Sequence, residues 1–147
     1  MPTLGHATYE ELRSAYETAS QGLIDGGADA LLIETTQDLL QAKAAVNGAR
    51  SAIARSTRDI VLIAQVTVET TGTMLLGSEI GAALSSLSAL GVDVIGMNCA
   101  TGPAEMSEHL RTLSKSADTA ISCMPNAGLP ILKDGGAFYP LGPEELA

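Results

Sequence analysis

Four short, nearly continuous apolar runs alternate with segments of helical period along this chain, and no other feature restricts its fold as much. The runs are "ADALLIE" (28–34), "DIVLIAQVTVE" (59–69), "VDVIGMN" (92–98) and "TAISCM" (119–124). Strands separated by helices of this length cannot be hairpin partners, so they must pair in parallel through crossover connections. Their unbroken apolar character marks strands covered on both faces. The predicted order is α-β-α-β-α-β-α-β. It fits either an open doubly wound sheet or part of an eight-stranded (β/α)8 barrel.

Local signals set the helix limits. Thr8 with Glu11 three residues on forms a capping-box pattern, and Gly26-Gly27 stops the segment. Leu12, Ala15, Tyr16, Ala19, Leu23 and Ile24 fall on one face of this first helix. Asp38 is placed to cap a second helix over 39–55, with Leu39, Leu40, Ala42, Ala45, Val46 and Ala49 as its apolar stripe. Ser78 and Glu79 open a third running to Leu90, and Pro103 sits in the first turn of a fourth. A Gly- and Pro-rich stretch, 125–142, is expected to be a long loop, and "GPEELA" reads as a first helical turn.

Composition narrows the class. The 147 residues suit a single domain, 46% hydrophobic and 17% charged, with one Phe, three Tyr and no Trp. A net charge of −9 with only eight Lys plus Arg argues against nucleic acid or an anionic membrane as partner. No apolar run approaches the ~20 residues of a membrane span, and no export signal is recognisable, so a cytoplasmic location is expected. Cys99 and Cys123 do not make a disulfide framework. The chain opens on a helix without a preceding strand and stops one turn into another. The expectation is a partial domain over 1–147, whose sheet edges would be protected by self-association into a homo-oligomer.

In parallel α/β folds the strand C-termini carry the site. The first strand delivers Glu34, Thr35 and Thr36 there, and the second Thr67, Glu69, Thr70 and Thr71. The third delivers Asn98 and Cys99, and the fourth Cys123, Pro125 and Asn126. Each has a plain structural reading beside the functional one. Glu34 is a ligand, a solvated loop acid or a cap for the Asp38 helix, Asn126 a turn residue or a ligand, and Cys123 a core thiol. Cys99 is a small filler, a metal ligand or a nucleophile. The "TVETTGTMLLG" stretch is a turn built on Thr and Gly.

Competing constellations are weak. His6 lies in the N-terminal segment, and His109 is expected on an exposed helix face with Glu105. "DGGAD" ends a helix instead of opening one, and "KDGGAF" is expected to follow no strand directly, so neither makes a phosphate loop. Spacing assembles no Ser/His/Asp set.

Taken together, "IGMNCATGPAEM", "MPNAGLP", "GADALLIETTQDLLQAKAA" and "VTVETTGTMLLG" resemble the homocysteine-binding (homocysteine S-methyltransferase) domain of cobalamin-dependent methionine synthase. The resemblance covers essentially the whole chain. It implies a (β/α)8 TIM barrel of which strands 4–7 are present, without the first three and the last. It also implies zinc held by three cysteines with homocysteine as the fourth sulfur ligand, Cys99 being the first of the three. A zinc-bound thiolate stays nucleophilic at neutral pH and attacks a methyl group, carried in this family by methylcobalamin on a separate domain. Glu34 matches the acid that holds the amino-acid portion of homocysteine, and Asn98 and Asn126 fall in the matching motifs.

The chain departs from the family pattern at one place. The adjacent cysteine pair of the family's "GGCC" motif is not in this sequence, and Cys123 is not at a ligand position. The expectation is a partial methyltransferase domain, inactive by itself, with a weak non-native Cys99–Cys123 zinc site as a minor alternative. Two rivals stand beside it: a self-associating structural half-barrel without catalysis, and an unrelated small α/β enzyme using Cys99 as nucleophile.

Overall fold

The computed structural model describes residues 1–146 of the chain. A short 3-10 turn, Pro2–Leu4, precedes α1 (Tyr9–Asp25). Then follow β1 (Ala30–Thr36), α2 (Leu39–Ile53), β2 (Val61–Val66), α3 (Ile80–Ser88), β3 (Val94–Asn98), α4 (Pro103–Ser116) and β4 (Ala120–Met124). The four strands form one parallel sheet in the order β1-β2-β3-β4. Sequential order decides between the two architectures. A doubly wound sheet reverses its order at a switch point, whereas a barrel adds each strand beside the last. The fold is a four-stranded βα half-barrel.

Capping explains where the helices begin. The Thr8 hydroxyl accepts from the Glu11 amide, and the Glu11 carboxylate accepts from the Thr8 amide at 2.8 Å, the reciprocal capping box. Asp38 Oδ1 accepts from the Leu40 amide at 2.9 Å and starts α2. Helices α2 and α3 end two residues earlier than their apolar patterns suggest, because the next amides bond three residues back: Arg55 and Ser56 donate to the Ala52 and Ile53 carbonyls, and Leu90 and Gly91 to those of Leu87 and Ser88.

The core lies between the sheet and α2, α3 and α4. Leu31, Ile33, Leu62, Ala64, Ile95 and Met97 point toward the helices and are buried. The alternate residues Leu32, Val61 and Met124 face the other way and are 43%, 43% and 50% exposed. The expectation of strands covered on both faces therefore holds on the helix side, and the second face is covered in part, at Gln65, Gly96 and Asn98.

Three further expectations need correcting. Of the predicted α1 stripe only Ile24 is buried; Ala15, Ala19 and Leu23 are exposed, because α1 packs laterally on α2 and has little contact with the sheet. His109 is half-buried and not exposed. The stretch 125–142 contains a hairpin, β5 (Ile131–Lys133) with β6 (Gly136–Phe138), antiparallel. Asp134 and Gly135, at φ 51° and 79°, form its two-residue turn, so "KDGGAF" does follow a strand. The one-turn helix Pro143–Leu146 fits the reading of "GPEELA", whose last residue lies outside the described residues.

Asp38 ties the N-terminus to this frame. Its carboxylate accepts from the Thr3 amide at 3.0 Å and the Thr3 hydroxyl at 2.7 Å as well as from Leu40. Burial pushes the carboxyl pKa up, but the Thr3, Leu40 and Gln41 hydrogen bonds outweigh it and hold it below its ordinary value. A depressed folded pKa means the contribution is complete above the unfolded pKa and is lost as pH falls through the folded one. Asp38→Ala should therefore cost about 1–2 kcal/mol at neutral pH. Urea titrations should show that deficit shrinking in acid, below the unfolded carboxyl value of about 3.9.

Candidate functional site

Three of the four strand ends converge through one buried amide. Asn98, the last residue of β3, is 2% exposed. Its Nδ2 lies 3.2 Å from Glu34 Oε2, 2.6 Å from Thr35 Oγ1 and 3.3 Å from Cys99 Sγ. Its Oδ1 accepts from the Thr35 amide at 2.9 Å, and its backbone carbonyl accepts from the Thr67 hydroxyl at 3.1 Å. Residues 63 and 64 apart in sequence are thus locked together across β2, with Thr67, the residue after β2, bonded to the Asn98 carbonyl.

A bulge aims the first-strand residues. The β1–β2 register runs Ile33↔Ala64 and then Thr36↔Val66, so Glu34 and Thr35 together oppose Gln65. The extra residue is accommodated by Thr35 at φ 53°, a left-handed conformation that a β-branched residue rarely adopts. The strain is held by the Thr35 amide–Asn98 bond on one side and by the Thr36 hydroxyl, which donates to the Gln65 carbonyl at 2.8 Å, on the other. Glu34 is left exposed, with its carboxylate steered toward Asn98.

Cys99 sits in an equally strained turn. Cys99 and Ala100 both have φ 59°, left-handed without being glycine. The turn is held by the Cys99 amide on the Met124 carbonyl at 3.1 Å and the Thr101 amide on the Cys99 carbonyl at 2.7 Å. The thiol is half-buried, with Thr35 Oγ1 3.9 Å away. Strain concentrated at strand ends is the common signature of a site that the surrounding fold over-determines.

The other predicted residues lie apart. Asn126 reaches the cluster only through its backbone amide, which donates to the Thr101 carbonyl at 3.1 Å. Cys123 is exposed, not core; its thiol donates to Met106 Sδ on α4, 3.9 Å away, so it faces the helices and not Cys99. Burial of that sulfur pushes the Cys123 thiol pKa up, which keeps it protonated. The two thiols therefore do not form a pair. Among the described residues no three His, Cys, Asp or Glu side chains converge. These residues alone do not fit a tetrahedral zinc.

Sequence reasoning named Thr35 and Thr67 at the strand ends without a role for either, and missed Gln65. Gln65 is wholly buried, its Nε2 donating to Ser122 Oγ at 2.7 Å across Gly96 while its Oε1 has no partner. Only its polarity within an apolar run could have singled it out.

Elsewhere, the "TVETTGTMLLG" turn is as expected. The Glu69 amide donates to the Thr73 carbonyl at 2.9 Å, and Gly72 and Gly77 take φ 87° and 88°. No helix of the described residues is long and apolar enough to cross a membrane.

The chain resembles known proteins in sequence and in fold. The methionine synthases of Mycobacterium tuberculosis (strain ATCC 25618 / H37Rv) and Mycobacterium leprae (strain TN) are 65% and 64% identical to the chain over all 147 of its residues. The chain spans only 12% of the length of each. The crystal structure of the apo homocysteine methyltransferase MmuM from Escherichia coli superposes on 82% of the chain and 44% of its own, with a TM-score of 0.70 at 18% identity, a likeness of fold. The family profile described as homocysteine S-methyltransferase matches residues 1–147, and the chain belongs to that family.

Proposed function

We propose that this chain supplies the homocysteine-holding strand ends of a methyl-transfer enzyme that makes methionine. The observation that carries the reading is the Asn98 amide, within hydrogen-bond reach of both the Glu34 carboxylate and the Cys99 sulfur. Glu34 is exposed and anionic, which suits the ammonium of an amino-acid substrate. Asn98 holds that carboxylate in place and leaves its other oxygen free. Cys99 lies next to it, where a thiol-bearing substrate anchored by its ammonium would present its sulfur. Asn126, joined through Thr101, borders the same mouth.

Cys99 is proposed as one ligand of a zinc ion whose remaining ligands lie outside this chain; such an ion would keep the substrate sulfur as a thiolate. Methylcobalamin is the proposed methyl donor, brought by another domain. Both cysteines are free thiols, which suits a reducing, cytoplasmic setting. The relatives are more than eight times longer than the matched segment, and transfer by this chain alone is not expected.

The test is a titration of the purified chain with zinc and homocysteine, followed by amide NMR and a chromogenic chelator. Homocysteine should shift the amides of Thr35, Asn98 and Cys99, and Glu34→Gln should remove those shifts. Zinc should not form a tight one-to-one complex. Shifts mapping away from the β1 and β3 ends would overturn the substrate assignment. Tight zinc binding that depends on Cys99 would overturn the expectation of an incomplete metal site.

A further inference from the structure

Asn98 has more acceptors around it than hydrogens to give. A side-chain amide carries two N–H hydrogens. Three acceptors surround Asn98 Nδ2: Thr35 Oγ1 at 2.6 Å, Glu34 Oε2 at 3.2 Å and Cys99 Sγ at 3.3 Å. Turning the amide over does not relieve this. Its Oδ1 accepts at 2.9 Å from the Thr35 backbone amide, which can only donate, so Oδ1 faces that way and Nδ2 faces the three acceptors. Asn98 is 2% exposed, so the competition is decided inside the protein.

Distance assigns the first hydrogen. The 2.6 Å contact gives it to the Thr35 hydroxyl, which leaves one hydrogen for two acceptors. Glu34 is a carboxylate, and a charged acceptor holds an N–H about twice as strongly as a neutral one. A thiol sulfur is a weak acceptor. With nothing bound to Glu34, the second hydrogen therefore goes to the carboxylate.

We propose that Thr35 is a positioning residue: it clamps the Asn98 amide between Glu34 and Cys99, so that compensating the Glu34 charge hands the second hydrogen to the Cys99 sulfur. The ammonium of an amino-acid substrate supplies that compensation, a step that rests on the reading of Glu34 as its anchor. A cation on the free carboxylate oxygen weakens the pull of the other oxygen on Asn98. The hydrogen then needs only a small tilt of the amide, since Oε2 and Sγ lie 3.2 and 3.3 Å from the same nitrogen. Thr35 blocks any larger turn, because its backbone amide holds Oδ1 and its hydroxyl holds Nδ2. That double grip gives the left-handed Thr35 backbone, at φ 53°, a use. Such coupling is reciprocal: a sulfur that draws the hydrogen frees Glu34 for the ammonium. The two ends of an amino-acid thiol are thus sensed through one amide.

NMR of the Asn98 side-chain amide protons, in the purified chain at one fixed pH, tests this. Without ligand, Cys99→Ala should barely move either proton while Glu34 is present. In a Glu34→Gln background, where the charged acceptor is gone, Cys99→Ala should move one of them clearly. Thr35→Val should abolish that dependence on Glu34, and Thr35→Ser, which keeps the hydroxyl, should retain it. L-2-aminobutyrate has the ammonium and lacks the sulfur. It should bind the wild type about two- to tenfold more tightly than Cys99→Ala, and butyrate, without the ammonium, should shift neither proton. A shift on removing the sulfur that is equal with and without the Glu34 charge overturns the proposal. So does a dependence on Glu34 that survives in Thr35→Val. If the dependence holds but 2-aminobutyrate leaves the Thr35 and Asn98 backbone amides unmoved, the clamp stands and the substrate reading of Glu34 falls alone.

Discussion

Gly96→Ala is expected to cost about 3 kcal/mol or more and to release β4 from the sheet. Gly96 lies in β3 opposite Ser122 of β4. A methyl group there would fall inside van der Waals contact of the Ser122 carbonyl oxygen, and 2.9 Å from its carbonyl carbon and its Cβ. Two of those atoms are backbone, so relief requires moving β4 as a whole, not turning a rotamer. The Gln65–Ser122 hydrogen bond, which passes over Gly96, would break with it and leave a second buried polar atom beside the orphaned Gln65 Oε1. The consequence reaches the site, because the strained Cys99 turn hangs from β4 by its amide bond to Met124. Hydrogen exchange should show the Cys99 amide and β4 losing protection while β1 and β2 keep theirs. Unchanged protection at Cys99 with a full stability loss would show that β4 is not what holds the turn.

How much of this could be read from residues alone follows from the range of the interactions. The helix starts were legible because capping is local: Thr8 with Glu11, Asp38 with Leu40, and Pro103 each act within one turn. The parallel sheet was legible because the apolar runs and their spacing leave few topologies; they left a doubly wound sheet and a partial barrel both open, and the half-barrel was implied by the family resemblance and is borne out by the strand order. The α1 stripe misled because periodicity marks an apolar face without saying what covers it; α1 packs on α2, with Ser20 and Ile24 buried and Tyr16 half-buried while Ala15, Ala19 and Leu23 are exposed. The hairpin in 125–142 was missed although its Asp134-Gly135 turn is a recognised signal, because each arm is only three residues long. Glu34, Asn98 and Cys99 were legible as strand-end residues, but not the lock between them. That lock depends on left-handed backbone at Thr35, Cys99 and Ala100, residue types that carry no such preference, and on pairs more than 60 residues apart.

Asn98→Asp should expose that lock most clearly, because it changes one buried atom without changing shape. In the wild type Nδ2 donates toward the Glu34 carboxylate, and Oδ1 accepts from the Thr35 amide. In the variant the second role survives and the first is inverted: an acceptor faces Glu34 Oε2 at 3.2 Å. Two carboxylates at that separation repel, and one of them is 98% enclosed. The expected loss at neutral pH is about 2–4 kcal/mol, with β1's end and Thr35 freed. Repulsion and burial raise the new carboxyl's folded pKa above its unfolded value. Its penalty is therefore largest above the folded pKa and diminishes as pH falls through it, where the protonated group again donates to Glu34. Asn98→Ala removes the same bonds without adding charge, so its deficit, also about 2–4 kcal/mol, should not share that acid rescue. Adding Glu34→Gln to Asn98→Asp should restore part of the loss at neutral pH, since the amide supplies a donor where the second carboxylate stood. If the two Asn98 variants showed the same deficit at every pH, Glu34 would not be Asn98's partner. The substrate-holding role assigned to their pair would then fall with it.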